Sequence, residues 1–363
     1  MISTTSMTRD VWRIHRAGSL DRLKKRREPL EPPAPGQARV RVEAIGLNFA
    51  DIFACLGLYS ATPPGSFIPG LEFAGVIDEI APGGGNSASG ALHVGDRVFG
   101  VTRFGAYVTQ INAPVQLLGR VPDGWSSAQA AAFPVQGLTA WYGLVDQARV
   151  GDRELVLVHS AAGGVGQCAL AILRSLAARV VATVGSEDKR RFLVEDRGLP
   201  PESVILRDRR RFGAQLDRAL EAANSDGFDV IFDGLSGPYL LPAFSRLRSR
   251  GRLVVYGAAD FMPGGRRARE PRLLARYFRR PRIDPLALMS QNRSVMGFNL
   301  IWLWDQADRL PGAYSALRAL SPEPPLVGRR FKFAQAPEAM SFLQSGRNIG
   351  KVVLETDGAL PSM

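Results

Sequence analysis

Apolar and polar positions alternate over residues 37–45, QARVRVEAI, the period of a strand with one buried face and one partly exposed face. Up to about residue 130 the pattern stays short-ranged. GLNFADI, PGLEFAGVIDEI, GDRVFG and GAYVTQINA are brief apolar runs set among Gly, Pro and Asn. Short strands joined by tight turns predict an irregular β-barrel. Inside it, GGGNSASG (83–90) predicts a flexible surface loop, the tip of a hairpin.

Beyond residue 130 the period lengthens. AQAAAFPVQGLTAWYGLVDQA predicts helix, proline, helix. ELVLVHS then predicts a strand, GQCALAILRSLA a helix, RVVATVG a strand and EDKRRFLVEDRG a helix. SVIL, RRFGAQLDRALEAAN and FDVIFDGL continue the alternation, with LLPAFSRLRSRG expected as helix and RLVVYGAA as strand. Strands that are apolar throughout have no solvent face, so the pattern predicts a parallel sheet with helices on both sides. After a basic, proline-broken excursion (261–285) come RSVMGFNLIWL, a helix PGAYSALRAL and a last strand GKVVLE, expected to return to the amino-terminal domain.

Length and composition narrow this picture. A chain of 363 residues, 45% hydrophobic and 22% charged, fits a two-domain globular protein. Its two cysteines, Cys55 and Cys168, support neither a disulfide framework nor a C-x-x-C knuckle, and read as buried small apolar residues in a cytoplasmic, reducing compartment. The amino terminus lacks the apolar core of a signal peptide, Met7 is an alternative start because the strand-like pattern begins only at Val11, and no uninterrupted apolar run reaches spanning length. The net charge of +12 comes from 41 Arg and five Lys against 34 acidic residues. Spread arginine fits solvated faces. Two clusters stand out, RLKKRR (22–27) and RRAREPRLLARYFRRPR (266–282); the second also fits a basic segment lying on an anionic membrane. No aromatic-rich RNA-recognition motif is present, and no nucleic-acid partner is expected.

The chemistry begins at VHSAAGGVG. A strand runs directly into a glycine-rich turn and then a helix, the context in which backbone N–H groups and a helix N-terminus hold a phosphate. Ala162, Gly163, Gly164, Val165 and Gly166 are the expected cofactor contacts. Gly163 takes the close-approach position and Gly166 the helix-packing position, while Ala161 replaces the tight-turn glycine of G-x-G-x-x-G. At the end of the next strand Val184 stands where an acid would bind a ribose 2′-OH. Ser186, Lys189 and Arg207 lie just beyond and favour a 2′-phosphate, hence NADPH over NADH; Glu187 and Asp188 are expected to point outward from the helix start.

AIGLNFADIFACLGLY, PGLEFAGVIDEIAPG, GDRVFG, FPVQGLTAWYGL, LVHSAAGGVGQ and GRNIGKVVL occur in an order that resembles the medium-chain dehydrogenase/reductase superfamily, in its zinc-independent quinone oxidoreductase (zeta-crystallin-like) branch. NRSVMGFNL is most similar to the vesicle amine transport protein homologues of that branch. The resemblance implies an α/β protein in two parts. A GroES-like catalytic domain (1–134 and 296–363) is interrupted by a Rossmann NADPH-binding domain (135–295), with the active site between them. Where zinc-dependent relatives carry a Cys and a His, this chain has Asn48 and Leu71, so no metal is expected.

Carried over from the family, Asn48 and Tyr59 face the cleft, Asn48 donating to substrate or nicotinamide ribose and Tyr59 offering a phenolic proton. Asp51 either caps a helix beginning near Ile52 or takes part in catalysis. Thr139 either packs near the nicotinamide or bonds to its own helix. Gly257, Phe298 and Asn299 should serve the carboxamide, and Asn348 and Lys351 should add a carboxy-terminal cofactor contact. His159 is expected to pack, while His15 and His93 look peripheral. Loop 60–69 and segment 261–296 should shape the pocket.

The implied activity is an NADPH-dependent, zinc-independent reduction of quinones or α,β-unsaturated carbonyls. The alternative is an NADPH-binding protein acting mainly at a membrane surface or with a partner. Family members are commonly homodimers; RLVVYGAA and MGFNLIWLW would serve that contact or fill a core.

Overall fold

The structure, a computed structural model, describes residues 7–83, 86–87, 90–268 and 271–357. Six parallel strands form one sheet, in the order Val204–Leu206, Arg179–Val184, Leu155–Val158, Phe228–Asp233, Leu247–Val255 and Ser294–Gly297. Numbered along the chain this is 3-2-1-4-5-6, the doubly wound order, whose switch point opens beside the first strand. Leu155, Val156, Leu157 and Val158 are all buried, as a strand covered on both faces requires. Helix Gly164–Ser175 covers one face with Cys168, Ala169, Ile172 and Leu173, and Phe212 and Leu216 of helix Phe212–Ala222 join the apolar cluster on the other.

The second sheet is the expected barrel-like half. Its seven strands run Val327–Lys332, Lys351–Glu355, Gln37–Gly46, Glu72–Ile80, Arg97–Val101 and Leu118–Arg120, with Gln110–Pro114 also paired to Gln37–Gly46. The last strand does return: Val353, Leu354 and Glu355 pair antiparallel with Gly46, Ile45 and Ala44. Asn86–Ser87 and Gly90–Ala91 form the small hairpin expected there; residues 84–85 and 88–89 lie outside the described residues.

Three expectations shift. The helix over LLPAFSRLRSRG stops at Phe244, and Leu247–Arg250 instead belong to strand Leu247–Val255. Tertiary pairing overrides the helical period here. Arg248 is bound to Asp226 (2.6 Å) and Asp229 (3.0 Å), and Arg250 adopts φ +67° where the register shifts. The boundary at 295/296 cuts strand Ser294–Gly297, which pairs with Arg252–Val255, so the parallel sheet continues through Gly297. The amino-terminal strand starts at Thr8 rather than Val11, because Thr8–Ile14 pairs along its whole length with Leu23–Pro29. RLKKRR thus lies largely on a strand face, where Lys25 meets Asp10 at 2.8 Å.

Two open assignments resolve by burial. Leu253 and Val254 of RLVVYGAA are core residues, whereas MGFNLIWLW splits, with Ile301 buried and Trp302 exposed. Helix Pro271–Phe278 within the basic segment exposes Leu274, Tyr277 and Phe278. Arg269 and Glu270 of that segment lie outside the described residues.

Candidate functional site

The turn after strand Leu155–Val158 explains the tolerated alanine. The left-handed conformation falls on Ser160 (φ +54°), not on residue 161, so Ala161 needs no glycine. Ala161 is buried, its N–H donating to Thr183 O (3.1 Å), and the Gly163 N–H closes the turn on Ser160 O (2.9 Å). Gly166 has no such freedom: a Cβ there would stand 2.5 Å from the Ala161 carbonyl oxygen. Gly163 caps helix Gly164–Ser175 in extended conformation without a side-chain cap. The opening N–H groups of that helix therefore face outward with its positive dipole end, a cradle for a phosphate. A Cβ on Gly164 would overlap Gln136 Oε1. Val165 follows in the first turn, and Ala162 O accepts from Gly350 N (2.8 Å), which ties the carboxy-terminal segment to the turn.

Past Val184, two cations come together. Arg207 donates to Thr183 Oγ1 (3.0 Å) and lies over the Tyr239 ring at 5.4 Å. Lys189 donates to Gly346 O (2.6 Å); burial, and then the charge of Arg207, pull its pKa down to about 8. Ser186 is the exposed cap residue of helix Glu187–Arg191, with no side-chain cap bond. Glu187 and Asp188 turn along their own helix, toward Arg190 (3.4 Å) and Arg191 (3.8 Å). This is a site of excess positive charge beside a phosphate cradle, and its donors suit a nucleotide that carries an additional phosphate. His159 packs against Phe212 with Nδ1 2.9 Å from Thr183 Oγ1. Burial drives its pKa to about 3, so it is neutral.

A buried polar cluster joins distant parts of the chain. Lys351 Nζ bonds Glu72 Oε1 (2.5 Å) and Asn48 Oδ1 (2.8 Å); Asn48 Nδ2 donates to Glu72 Oε1 (2.9 Å) and Gly46 O (3.3 Å). Gln136 Nε2 donates to Asn48 Oδ1 (2.8 Å), and Val135 N to Glu72 Oε2 (2.8 Å). The amide donors of Asn48 are thus turned inward. Asn48 is the cap residue of helix Phe49–Cys55, which begins three residues before the position expected; Asp51 sits at its third position and accepts from Asn48 N (2.8 Å). Asp51 Oδ2 also accepts from Tyr107 OH (3.2 Å), while Oδ1 has no partner among the described residues. Burial raises its pKa to about 7 against the pull of that N–H bond and of Lys351.

Tyr59 OH donates to Asn299 Oδ1 at 2.6 Å, joining the segment after helix Phe49–Cys55 to the segment after the sixth parallel strand. Burial raises its pKa to about 12, so the phenol stays protonated. Phe298 packs edge-on to Tyr142 (4.9 Å) and bonds through its N–H to Val255 O (3.2 Å). The Gly257 carbonyl accepts from Ser236 Oγ (2.6 Å). Thr139 Oγ1 donates to Val135 O (2.7 Å), the helix-internal alternative. Asn348 Nδ2 donates to Gly350 O (2.9 Å), shaping the bend against the glycine turn.

Glu72, Gln136 and Tyr107 escaped the sequence reading. Only Glu72 carried a signal, as the lone acid within the apolar PGLEFAGV. No group of three or more His, Cys, Asp or Glu placed to hold a metal occurs among the described residues. Nor does any helix among them reach the length and apolarity needed to cross a membrane.

Residues 34–140 match the alcohol dehydrogenase GroES-like domain, and residues 204–354 match the zinc-binding dehydrogenase domain. The human synaptic vesicle membrane protein VAT-1 homolog is 32% identical over 343 residues, covering 93% of this chain and 84% of that protein. Two solved structures share 27% identity: the mycobacterial Rv1454c complexed with NADPH (TM-score 0.79, 96% of this chain and 99% of that one), and the quinone oxidoreductase from Thermus thermophilus (0.72, 95% and 99%). CurK enoyl reductase is 25% identical with a TM-score of 0.79 over 96% of this chain and 99% of that one. This chain belongs to the medium-chain dehydrogenase/reductase family, as an oxidoreductase with VAT-1 homologs, quinone oxidoreductases and enoyl reductases among its relatives.

Proposed function

We propose that this protein is an NADPH-dependent, metal-independent reductase of quinones or α,β-unsaturated carbonyl compounds. The observation that carries the reading is the end of strand Arg179–Val184, where Val184 leaves no carboxylate to repel a 2′-phosphate and Lys189 and Arg207 converge. NADPH, when bound there, supplies a hydride to the quinone ring or to the β-carbon of an enone. The glycine turn 162–166 holds the pyrophosphate, with Ser186, Lys189 and Arg207 on the ribose phosphate.

Gly257, Phe298 and Asn299 frame the nicotinamide end, and Asn348 and Lys351 pin the carboxy-terminal bend against the turn. Asn48 orients Lys351 and Gln136 through its carbonyl oxygen. Tyr59 exchanges its bond to Asn299 for one to the substrate oxygen and donates the proton that completes reduction. Asp51 holds the cap of Asn48, keeping that residue's orientation fixed.

The test is a fluorescence titration of the metal-stripped protein with NADPH and NADH, followed by a panel of quinones and enones. Tighter NADPH binding and turnover unchanged by chelators are expected. Binding of neither nucleotide would sink the reading.

A second reading has its own observation. Helix Pro271–Phe278 exposes Leu274, Tyr277 and Phe278 close in sequence to Arg276, Arg279 and Arg280, a surface suited to anionic lipid. Sedimentation with anionic vesicles at low salt tests it, and no association there removes it. The partly exposed edge strand Ser294–Gly297 is the place we propose for a homodimer contact, readable by light scattering.

A further inference from the structure

Along the face of helix Gly164–Ser175 that bears Gln167, Cys168, Ala171 and Arg174 lies a cavity of about 520 Å³. Its other walls come from residues 132–137, 178–181, 197–203, 219–223 and 317–326, with Leu155 and Lys351. Gly164 and Lys351 line one part of it, so the cavity reaches the glycine turn, while Arg174 lies in the last turn of the helix that Gly164 begins; Asn48, Tyr59, Ser186, Arg207 and Asn299 do not line it. The volume suits a small-molecule ligand.

Its walls are mostly aliphatic, with four cations: Arg179 is committed to Arg153 O and Ala223 O, Lys351 to Glu72 and Asn48, and Arg174 and Arg197 remain. Arg197 is partly buried. Its Nε donates to Gln167 Oε1 (2.7 Å), and Gln167 Nε2 in turn donates to Ala161 O (2.9 Å). The ring of Phe192 supports the guanidinium at 5.2 Å. Its terminal amino groups meet no acceptor among the described residues, and Arg174 on the same cavity forms no ion pair among them. Glu202 and Glu323 also border the cavity; like Arg174 they are exposed and screened by water, which leaves Arg197 as the partly desolvated charge. An anchored, partly desolvated guanidinium beside an aliphatic wall selects a carboxylate with an apolar tail: two parallel N–H···O bonds at the head, burial for the tail.

We propose that this cavity, beyond the part that reaches the glycine turn, is a second ligand site for a small amphipathic carboxylate held by Arg197, with Arg174 beside it. Isothermal titration calorimetry of the full chain with decanoate tests it, with decan-1-ol as the neutral counterpart and a repeat at saturating NADPH. One saturable decanoate site that survives NADPH is expected, with decan-1-ol at least about tenfold weaker. Arg197→Ala should weaken decanoate about tenfold or more, and Ala171→Trp, which fills the cavity, should abolish the heat. Thermal unfolding checks that Ala171→Trp is folded; should it not be, Arg174→Ala must still weaken decanoate. Absence of saturable heat, displacement by NADPH, or an affinity indifferent to Arg197→Ala each overturns the proposal. Failure of nucleotide binding leaves the decanoate and variant measurements intact, so the two readings fail separately.

Discussion

At the end proposed for the cofactor phosphates nearly every shaping group lies within residues 158–207, and most of the work is done by backbone: a left-handed Ser160, an uncapped helix N-terminus, and Gly166 pressed on Ala161. At the end proposed for the nicotinamide the touching pairs are 240 residues apart (Tyr59 and Asn299) and 303 apart (Asn48 and Lys351), and the contacts are between side chains. The first end is a local device that any strand–turn–helix of this sequence builds. The second exists only when both sheets are complete and docked. Ligand specificity at the local end should respond to single charges, whereas the long-range end should couple folding to function.

The sharpest way to break that contrast is at Lys351. Removing it in Lys351→Met leaves Glu72 charged, fully buried and short of its cation, a loss of about 3–5 kcal/mol. Chemical denaturation would measure it, and adding Glu72→Gln should recover a large part, since the uncompensated charge is then gone. A cost below about 1 kcal/mol, the worth of an exposed pair, would mean the cluster is not a structural link.

Asp51 gives the next largest effect, read through pH. Its pKa is raised from 3.8 to about 7, chiefly by burial. Below about pH 4 both folded and unfolded chains hold its proton and it contributes nothing. Between about pH 4 and 7 the unfolded chain releases the proton first, so stability falls as pH rises, at most by about 1.4 kcal/mol per pH unit; above about 7 the penalty is complete. Asp51→Asn keeps an acceptor for Asn48 N and should flatten that slope relative to the parent. Parallel stability–pH curves would show that Asp51 ionises normally.

Tyr59→Phe sharpens the functional side. It removes one hydroxyl bonded to Asn299 and should lower kcat about 100-fold with little change in nucleotide affinity. A full rate in the variant would assign the proton to solvent.

How much of this was legible in the sequence follows the same division. The strand and helix periods placed the parallel sheet and the glycine turn, because those depend on local burial and on residues within one turn of each other. The helix anticipated over 240–251 was misplaced because Arg248 pairing with Asp226 and Asp229, and the register with Phe228, are tertiary facts. Asn48 was anticipated as a residue but not in its bonding. Its donors go to Glu72 and Gly46, and Glu72 has no neighbour in sequence that marks it as half of an ion pair with Lys351. Tyr107 meets Asp51 across 56 positions and leaves no trace in any window.

The smallest effect belongs to the local end, and its selectivity makes it useful. Arg207 is anchored by Thr183 Oγ1 and the Tyr239 ring, so Arg207→Gln removes one charge while the strand, packed on both faces, stays in place. NADPH affinity should fall about tenfold, the worth of one partly exposed charge-assisted contact, and NADH affinity should hardly move, because the two nucleotides differ only in the phosphate that Arg207 faces. Lys189→Gln should add a further but smaller loss, since its ammonium also bonds Gly346 O and is already drawn toward neutrality near pH 8. The ratio of the two affinities is the informative quantity. If both fall together, Arg207 supports the turn as a whole, and the phosphate end is no more independent of its surroundings than the nicotinamide end.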